Sequence, residues 1–130
     1  MIDHISVAVR DLTKAESFYA ALLSPLGMRK LREWPNAAVG FGKKYPEFWI
    51  NRREAMQPTG KDNGAHICLR ATDGRAVEDF HAAALKSGGD SDGAPGLRAH
   101  YHSSYYAAFI RDPDGNRIEA VTFLRDGATN

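Results

Sequence analysis

The sequence has few of the features that define several large classes of protein. It contains one cysteine in 130 residues, so it cannot form a disulfide within the chain. Its 17 basic and 16 acidic residues leave a formal net charge of +1, which provides no charge excess for binding nucleic acid or a membrane surface. No apolar run approaches the roughly 20 residues that span a bilayer, and the N-terminus has no signal-peptide pattern. We therefore expect a cytoplasmic protein whose partners are a small molecule or a second copy of itself.

The one cysteine, Cys68, lies in the apolar segment HICLR. Free cysteines are among the residues most often buried, and no signature of a cysteine nucleophile surrounds this one. We interpret Cys68 as a buried structural thiol.

An internal repeat organises the sequence. The segment HISVAVRDLTKAESFYAALLSPLG, which begins at His4, resembles HICLRATDGRAVEDFHAAALKSGG, which begins at His66. The aligned identities are His4/His66, Ile5/Ile67, Asp11/Asp73, Glu16/Glu78, Phe18/Phe80, Ala20/Ala82, Ala21/Ala83, Leu23/Leu85 and Gly27/Gly89. The chain therefore consists of two copies of one module.

Each copy predicts a strand followed by an amphipathic helix. Apolar residues alternate with other residues in HISVAV and in HICLR, as they do in a half-buried strand. The first helix is expected to begin at a capping box, Thr13-x-x-Glu16, and the second at Asp73 as N-cap. The pair Gly88-Gly89 predicts the end of the second helix.

Three further strands complete each module and predict an α+β fold of two βαβββ units. These strands are expected at residues 30–34, 37–42, 47–51, 97–100, 105–110 and 117–124. We predict a single domain over residues 1–130, with module 1 at about 1–57, a linker at 58–64 and module 2 at about 65–125.

One carboxylate, Glu119, lies between apolar residues in the last predicted strand. The preceding turn, Asp112-Pro113-Asp114-Gly115, has proline and glycine where a turn requires them, so the direction of the Glu119 side chain is well specified. A buried carboxylate needs a cationic or metal partner. His4 and His66, at matched positions of the repeat, would form with Glu119 a two-histidine, one-carboxylate metal site. On the residues alone, the alternative is that the histidines are hydrogen-bonded structural groups and Glu119 is an edge-strand charge.

These motifs resemble the vicinal-oxygen-chelate superfamily, which includes glyoxalase I, fosfomycin-resistance transferases, extradiol dioxygenases and bleomycin-resistance proteins. The resemblance rests on HISVAVRDLTKAESFYAALLSPLGM, GAHICL and FIRDPDGNRIEAV and covers nearly the whole chain. It implies paired βαβββ modules whose strands curve into an open sheet around a cavity, with the helices outside. It also implies a divalent metal on His4, His66 and Glu119, and a homodimer, with the cavity either within one chain or assembled across two.

Departures from the family pattern separate its branches. Glyoxalase I has a fourth, carboxylate ligand where this sequence has Trp49, with Glu47 as a weaker candidate ligand nearby. Trp49 would instead form an apolar wall over the substrate. The fosfomycin-resistance branch holds its phosphonate with lysines and serines that residues 96–106 lack. The extradiol dioxygenases have a histidine that corresponds to His100, but their catalytic tyrosine corresponds to Phe109, which cannot transfer a proton.

The segment GLRAHYHSSYYAAF is dense in groups suited to face a substrate: Arg98, His100, Tyr101, His102, Tyr105 and Tyr106. We select His102 and Tyr105 for acid/base or substrate contacts, beside Glu119, and Trp49, Phe109 and His100 as substrate-binding residues. Arg70, which shares the parity of His66, would pair with a substrate carboxylate or phosphate, or with Glu119. Surface positions for these residues are the alternative.

The leading hypothesis is a metal-dependent enzyme, of lyase or isomerase type, that acts on a small oxygen-rich metabolite. The metal is Zn, Ni, Mn or Fe(II), because this ligand set accommodates each of them. The second hypothesis is a metal-free binding protein of the bleomycin-resistance kind. A structural or regulatory dimer with a relic site is the third.

Overall fold

The two halves of the chain fold into the same arrangement of elements. A computed structural model describes residues 1–60 and 63–125, so part of the predicted linker, 61–62, lies outside the described residues. Module 1 consists of β1 (Ile5–Val9), α1 (Leu12–Leu23), β2 (Arg29–Trp34), β3 (Ala38–Gly42) and β4 (Phe48–Arg52). Module 2 consists of β5 (Ile67–Arg70), α2 (Gly74–Lys86), β6 (Asp90–Leu97), β7 (Tyr105–Arg111) and β8 (Arg117–Phe123). The α+β fold of two βαβββ modules is confirmed.

Each module forms its own four-stranded mixed sheet. The strand orders are β1-β4-β3-β2 and β5-β8-β7-β6, so corresponding strands occupy corresponding places. In each sheet the first and last strands of the module are parallel neighbours, and the remaining pairs are antiparallel. Within the described residues the two sheets remain separate and form no closed barrel.

One face of each sheet is buried against the helices. The helices α1 and α2 pack on each other, and the inner faces of both sheets join them in one hydrophobic cluster that includes Val9, Phe18, Leu22, Phe41, Ile50, Phe80, Ile110 and Ile118. Because side chains alternate across a strand, the neighbouring residues form an outer face on each sheet that points away from this core. Of the strand residues predicted to carry chemistry, Trp49, Arg70, Tyr105, Phe109 and Glu119 lie on these outer faces, whereas Tyr106 packs against the core.

The predicted N-cap of the first helix is wrong. The N-cap is Asp11, whose carboxylate accepts a hydrogen bond from the backbone N–H of Lys14, and Thr13 lies inside the helix. Asp73 is the N-cap of α2, as predicted, and accepts from the N–H of Ala76. Asp11 and Asp73 are one of the identical pairs of the repeat, so the repeat itself contained the correct signal.

The strand predicted at 97–100 is also wrong in position. The strand β6 ends at Leu97, and a turn follows it. The sequence of β6, DSDGAPGL, has glycine and proline where strands seldom have them, but β6 is an edge strand that pairs only with β7. Its pairing is irregular between Ser91 and Gly96, so the ladder accommodates these residues.

The turn before β8 is anchored to module 1. The carboxylate of Asp112 accepts hydrogen bonds from the N–H groups of Asp114 and Asn116, and Gly115 adopts the positive φ of 91° that the turn predicts. The Tyr19 hydroxyl on α1 donates to Asp112 at 2.6 Å, and both side chains are buried. This anchoring fixes the start of β8 and therefore the position of Glu119 two residues into the strand.

Candidate functional site

Each oxygen of the Glu119 carboxylate has a side-chain partner. Its Oε1 atom lies 3.1 Å from Nε2 of His66, and its Oε2 atom accepts a hydrogen bond of 2.5 Å from the Tyr105 hydroxyl. Only 2% of the Glu119 side chain is exposed, whereas His66 opens to solvent. Two of the three predicted metal ligands are therefore adjacent, at the point where β5 and β8 run parallel.

Tyr105 and Cys68 remain protonated beside this carboxylate. Desolvation, followed by the hydrogen bond to Glu119, raises the pKa of the Tyr105 hydroxyl above its usual range. Desolvation and the negative charge of Glu119 raise the pKa of the Cys68 thiol to about 12. The expectation that Cys68 is buried is wrong, because its side chain lies on the open face of the sheet. Its high pKa nevertheless disfavours a thiolate nucleophile at neutral pH.

A cavity of about 370 Å³ opens beside His66. Its lining includes His66, Asp92, Gly93, Arg98, His100, Tyr101, Phe109 and Arg117. The Phe109 ring meets the His66 imidazole edge-on with 6.1 Å between ring centroids, and it lies opposite Glu119 in the β7/β8 register. The predicted substrate-facing residues Phe109 and His100 therefore share a cavity with a candidate metal ligand.

His4 lies in a second cavity, of about 550 Å³, on the outer face of module 1. Its Nδ1 atom lies 2.7 Å from a carboxylate oxygen of Asp3, which also accepts a hydrogen bond of 2.9 Å from the Tyr45 hydroxyl. The hydrogen bonds from His4 and then Tyr45 lower the pKa of the Asp3 carboxyl. An imidazole that bonds a carboxylate through Nδ1 presents Nε2 for coordination, which is the usual arrangement around metal-binding histidines.

Trp49 forms one wall of this second cavity. Its Nε1 donates to the backbone carbonyl of Pro46 at 3.0 Å, and its ring centroid lies 5.8 Å from that of Trp34. A Cβ atom placed at Gly40 would lie only 2.8 Å from Cε2 of Trp49, so the glycine gives the indole room to lie on β3. Glu47 is exposed and does not line the cavity.

The chain does not bring all three predicted ligands together. Across residues 1–60 and 63–125, no group of three His, Cys, Asp or Glu side chains is close enough to hold a metal ion. His66 and Glu119 form a pair on the outer face of module 2, and His4 lies on the outer face of module 1. The donor types suit a divalent ion, but each module holds only part of the set.

His102 and Arg70, like His4 and Trp49, lie away from the His66 cavity. The Nδ1 atom of His102 accepts from the backbone N–H of Ser104 at 3.0 Å, and its ring meets the Phe123 ring edge-on at 5.7 Å. The guanidinium of Arg70 lies 5.1 Å from the centroid of Phe123. Neither side chain lines the cavity beside His66.

Sequence reasoning gave no role to Asp92, Gly93 and Arg117, which line the His66 cavity, and named Tyr101 only as one of several groups suited to face a substrate. Arg117 lies two positions before Glu119 and therefore on the same face of β8, a parity that the sequence already contained. Tyr101 follows the end of β6, and its ring contacts that of His100 in a tilted arrangement, with 4.2 Å between centroids. No periodic pattern extends into this turn, so its direction was not predictable.

The paired βαβββ modules, each with an imidazole on the open face of its sheet, define a two-module class of α+β protein. Residues 1–120 match the family described as the Glyoxalase/Bleomycin resistance protein/Dioxygenase superfamily, and the chain belongs to that family. The resemblance noted from the sequence is thereby confirmed.

Individual relatives agree with this family assignment. A protein of Synechocystis sp. named probable lactoylglutathione lyase is 30% identical, in an alignment that covers 91% of this chain and 92% of that protein. The crystal structure of a glyoxalase/bleomycin resistance protein from Albidiferax ferrireducens is 31% identical, with a TM-score of 0.77 over 92% of this chain and 95% of the other. The fosfomycin resistance protein FosX of Listeria monocytogenes has a TM-score of 0.67 at 15% identity, over 95% and 93% of the two chains, and shares the fold alone.

None of the helices in the described part of the chain is both long enough and apolar enough to cross a bilayer.

Proposed function

We propose that the chain is a divalent-metal-dependent enzyme, of lyase or isomerase type, that acts on a small oxygen-rich metabolite. The observation that carries this proposal is the 3.1 Å approach of His66 Nε2 to Glu119 Oε1 on an open sheet face. A buried carboxylate beside an imidazole supplies two of the ligands that Zn, Ni, Mn and Fe(II) accept in proteins. The relative named as a lactoylglutathione lyase supports the reaction type.

The chemistry of the site divides between a metal and the residues around it. A metal held by His4, His66 and Glu119 would act as a Lewis acid on adjacent oxygen donors of the substrate. Tyr105 orients Glu119 through its hydroxyl, and Phe109 packs against His66. His100 and Trp49 contribute walls from the two cavities. His102 remains a proposed acid/base residue, in a turn beside β8.

The proposed active form is a homodimer in which each site combines the outer face of one module with the opposite module of the partner. Both outer faces expose aromatic side chains, with Trp34 65% exposed and Tyr101 60% exposed. A two-fold dimer would cover both faces and bring His4 of one chain to His66 and Glu119 of the other. Each chain would then contribute residues to two sites. The proposed location is the cytoplasm, with the chain as a single domain.

Mixing two inactive variants tests this arrangement. His4→Ala and His66→Ala each break both sites of a homodimer, but a mixed dimer regains one intact site. After free subunit exchange at equal amounts, about one quarter of the wild-type metal content should return, because about half of the dimers are mixed. Metal is measured by elemental analysis of protein prepared without chelator.

The result separates two failures. Absence of metal from the wild-type protein supplied with each candidate ion would refute the metal-dependent function. Metal in the wild-type protein without recovery on mixing would refute the shared site and leave metal binding intact.

A metal-free binding protein is the second candidate function. The neighbouring indoles of Trp34 and Trp49, where a glyoxalase would have a carboxylate, favour it, since indole rings bind planar ligands. This alternative predicts that bleomycin still quenches the tryptophan fluorescence of chelator-treated protein. Trp49→Ala should abolish this quenching.

A further inference from the structure

Arg98 is a guanidinium held in place at the wall of the His66 cavity. Its Nη1 donates to the carbonyl of Gly96 and its Nη2 to the carbonyl of Ala94, each at 2.8 Å. The group also lies over the Phe109 ring, 5.5 Å from the centroid. Because these contacts already fix the guanidinium, a ligand that pairs with it costs little side-chain conformational entropy.

The glycines of β6 make room for this guanidinium. A Cβ atom at Gly93 would lie 3.1 Å from Nη2 of Arg98, and one at Gly96 would lie 3.2 Å from Nη1. These are the positions where β6 departs from regular pairing with β7. The irregular edge strand thus forms a cradle for Arg98, and a side chain at either glycine would displace the guanidinium.

Arg117 supplies a second cation to the same cavity and has an unused donor. Its Nε is the one buried side-chain nitrogen or oxygen in the described residues that has no hydrogen-bond partner. The carboxylate of Asp92 lies 3.7 Å away, which is too far for a hydrogen bond. The Arg117 side chain is 19% exposed, so water reaches it poorly. A buried donor without a partner is unfavourable, so this guanidinium is held by no protein acceptor at Nε and can turn toward an anion in the cavity.

The side chains that line this cavity include more cations than anions. Two guanidinium groups, Arg98 and Arg117, face a single lining carboxylate, Asp92. Glu119 already accepts from Tyr105 and lies beside His66. Guanidinium groups match the planar oxygens of carboxylates and the oxygens of phosphates, which they bind with charge-assisted hydrogen bonds.

We propose that this cavity is an anion subsite, in which Arg98 and Arg117 bind a carboxylate or phosphate group of the substrate beside His66. The identification of the anion as part of the substrate rests on the proposed function, whereas anion binding itself does not. The substrate class is therefore a small acid whose reacting oxygens lie next to its anionic group. Asp92 competes for Arg117 and weakens the subsite.

Anion titration tests the subsite directly. Inorganic phosphate and malonate are titrated into the full-length protein by calorimetry, and the tighter probe distinguishes phosphate from carboxylate recognition. Arg117→Met and Arg98→Met should each weaken binding about tenfold or more, since each removes a charge-assisted contact. The matched control is Arg75→Met on α2, whose side chain is 77% exposed and pairs with Asp79; it should bind as the wild type does.

Asp92→Asn gives a test that does not depend on removing an arginine. It should tighten binding of the preferred anion several-fold, because Arg117 loses its competing carboxylate. Unchanged or weaker binding by Asp92→Asn, or equal losses in Arg75→Met and Arg117→Met, would overturn the proposal. Metal content is measured on the same samples. Anion binding without metal would support the subsite and refute the metal-dependent function. Metal binding without anion binding would refute the subsite and support the metal-dependent function.

Discussion

Glu119 Oε1 and His66 Nε2 lie 3.1 Å apart across the parallel pair of strands β5 and β8 in the sheet of module 2. The β5/β8 register places Cys68 directly opposite Glu119, and His66 precedes Cys68 by two residues on the same face. Their approach therefore follows from register together with the alternation of side chains. It gives the buried carboxylate a partner from a distant part of the chain.

Replacing Glu119 by glutamine should abolish tight metal binding with little change in shape. The change removes the charge and one coordinating oxygen, so we expect the metal affinity to fall by about 100-fold or more. Competition with a fluorescent chelator measures the affinity. Glu78→Gln is the matched control, because Glu78 also accepts from a tyrosine, Tyr106, but is exposed. Equal affinities of the two variants would contradict Glu119 as a ligand.

Tyr105→Phe should destabilise the protein more than Tyr106→Phe. The Tyr105 hydroxyl donates to a carboxylate that is 2% exposed, and its loss leaves Glu119 without that donor. We expect a decrease of about 1.5 to 3 kcal/mol in the free energy of unfolding. The Tyr106 hydroxyl donates to the exposed Glu78, where water replaces it, so a smaller decrease is expected there. Urea denaturation of both variants gives the comparison, and equal losses would show that Tyr105 does not support Glu119.

Gly40→Ala should displace Trp49. The new Cβ atom would approach the indole to 2.8 Å, closer than van der Waals contact, so the ring must move or β3 must shift. We expect a loss of about 1 to 3 kcal/mol in stability and a shift in Trp49 fluorescence, measured in a Trp34→Phe background. Adding Trp49→Leu should remove most of the penalty of the alanine. Additive losses in that double variant would show that Trp49 is not the group in conflict.

Stability should depend on the ionisation of Asp112. Desolvation raises the pKa of this carboxyl above its ordinary value of 3.8, although hydrogen bonds from Tyr19 and Asn116 oppose the shift. The folded state then binds the proton more tightly than the unfolded chain does. The contribution of Asp112 to stability is therefore full below pH 3.8 and is lost as the pH rises through the raised pKa.

Asp112→Asn removes this titration and serves as the reference. The free energy of unfolding of the wild type minus that of Asp112→Asn should decrease as the pH rises above about 4. A pH-independent difference between the two proteins does not affect this trend. Denaturant melts at a series of pH values measure it. A difference that moves the opposite way would mean that the hydrogen bonds dominate over burial.

The repeat made much of the fold predictable. Matching the two copies located both first strands and both helices, and the alternation in RIEAVTF located β8 and the face of Glu119. Prediction failed where two local signals were equally good, or where the position of a strand in the sheet decided its structure. Asp11 and Thr13 are both good N-caps by residue type, and DSDGAPGL becomes a strand only because an edge tolerates it.

The candidate site was predictable in its residue types but not in its assembly. The sequence by itself determined that His4 and His66 occupy matched positions of two strands and that Glu119 lies between apolar residues of a third, because the repeat and side-chain alternation are local properties. Only the tertiary structure decided that His66 meets Glu119 and Tyr105 while His4 lies apart with Asp3 and Trp49. It also placed Arg98 and Arg117 in one cavity. Such meetings depend on strand order and on how the two modules pack, which arise from contacts between residues far apart in the chain.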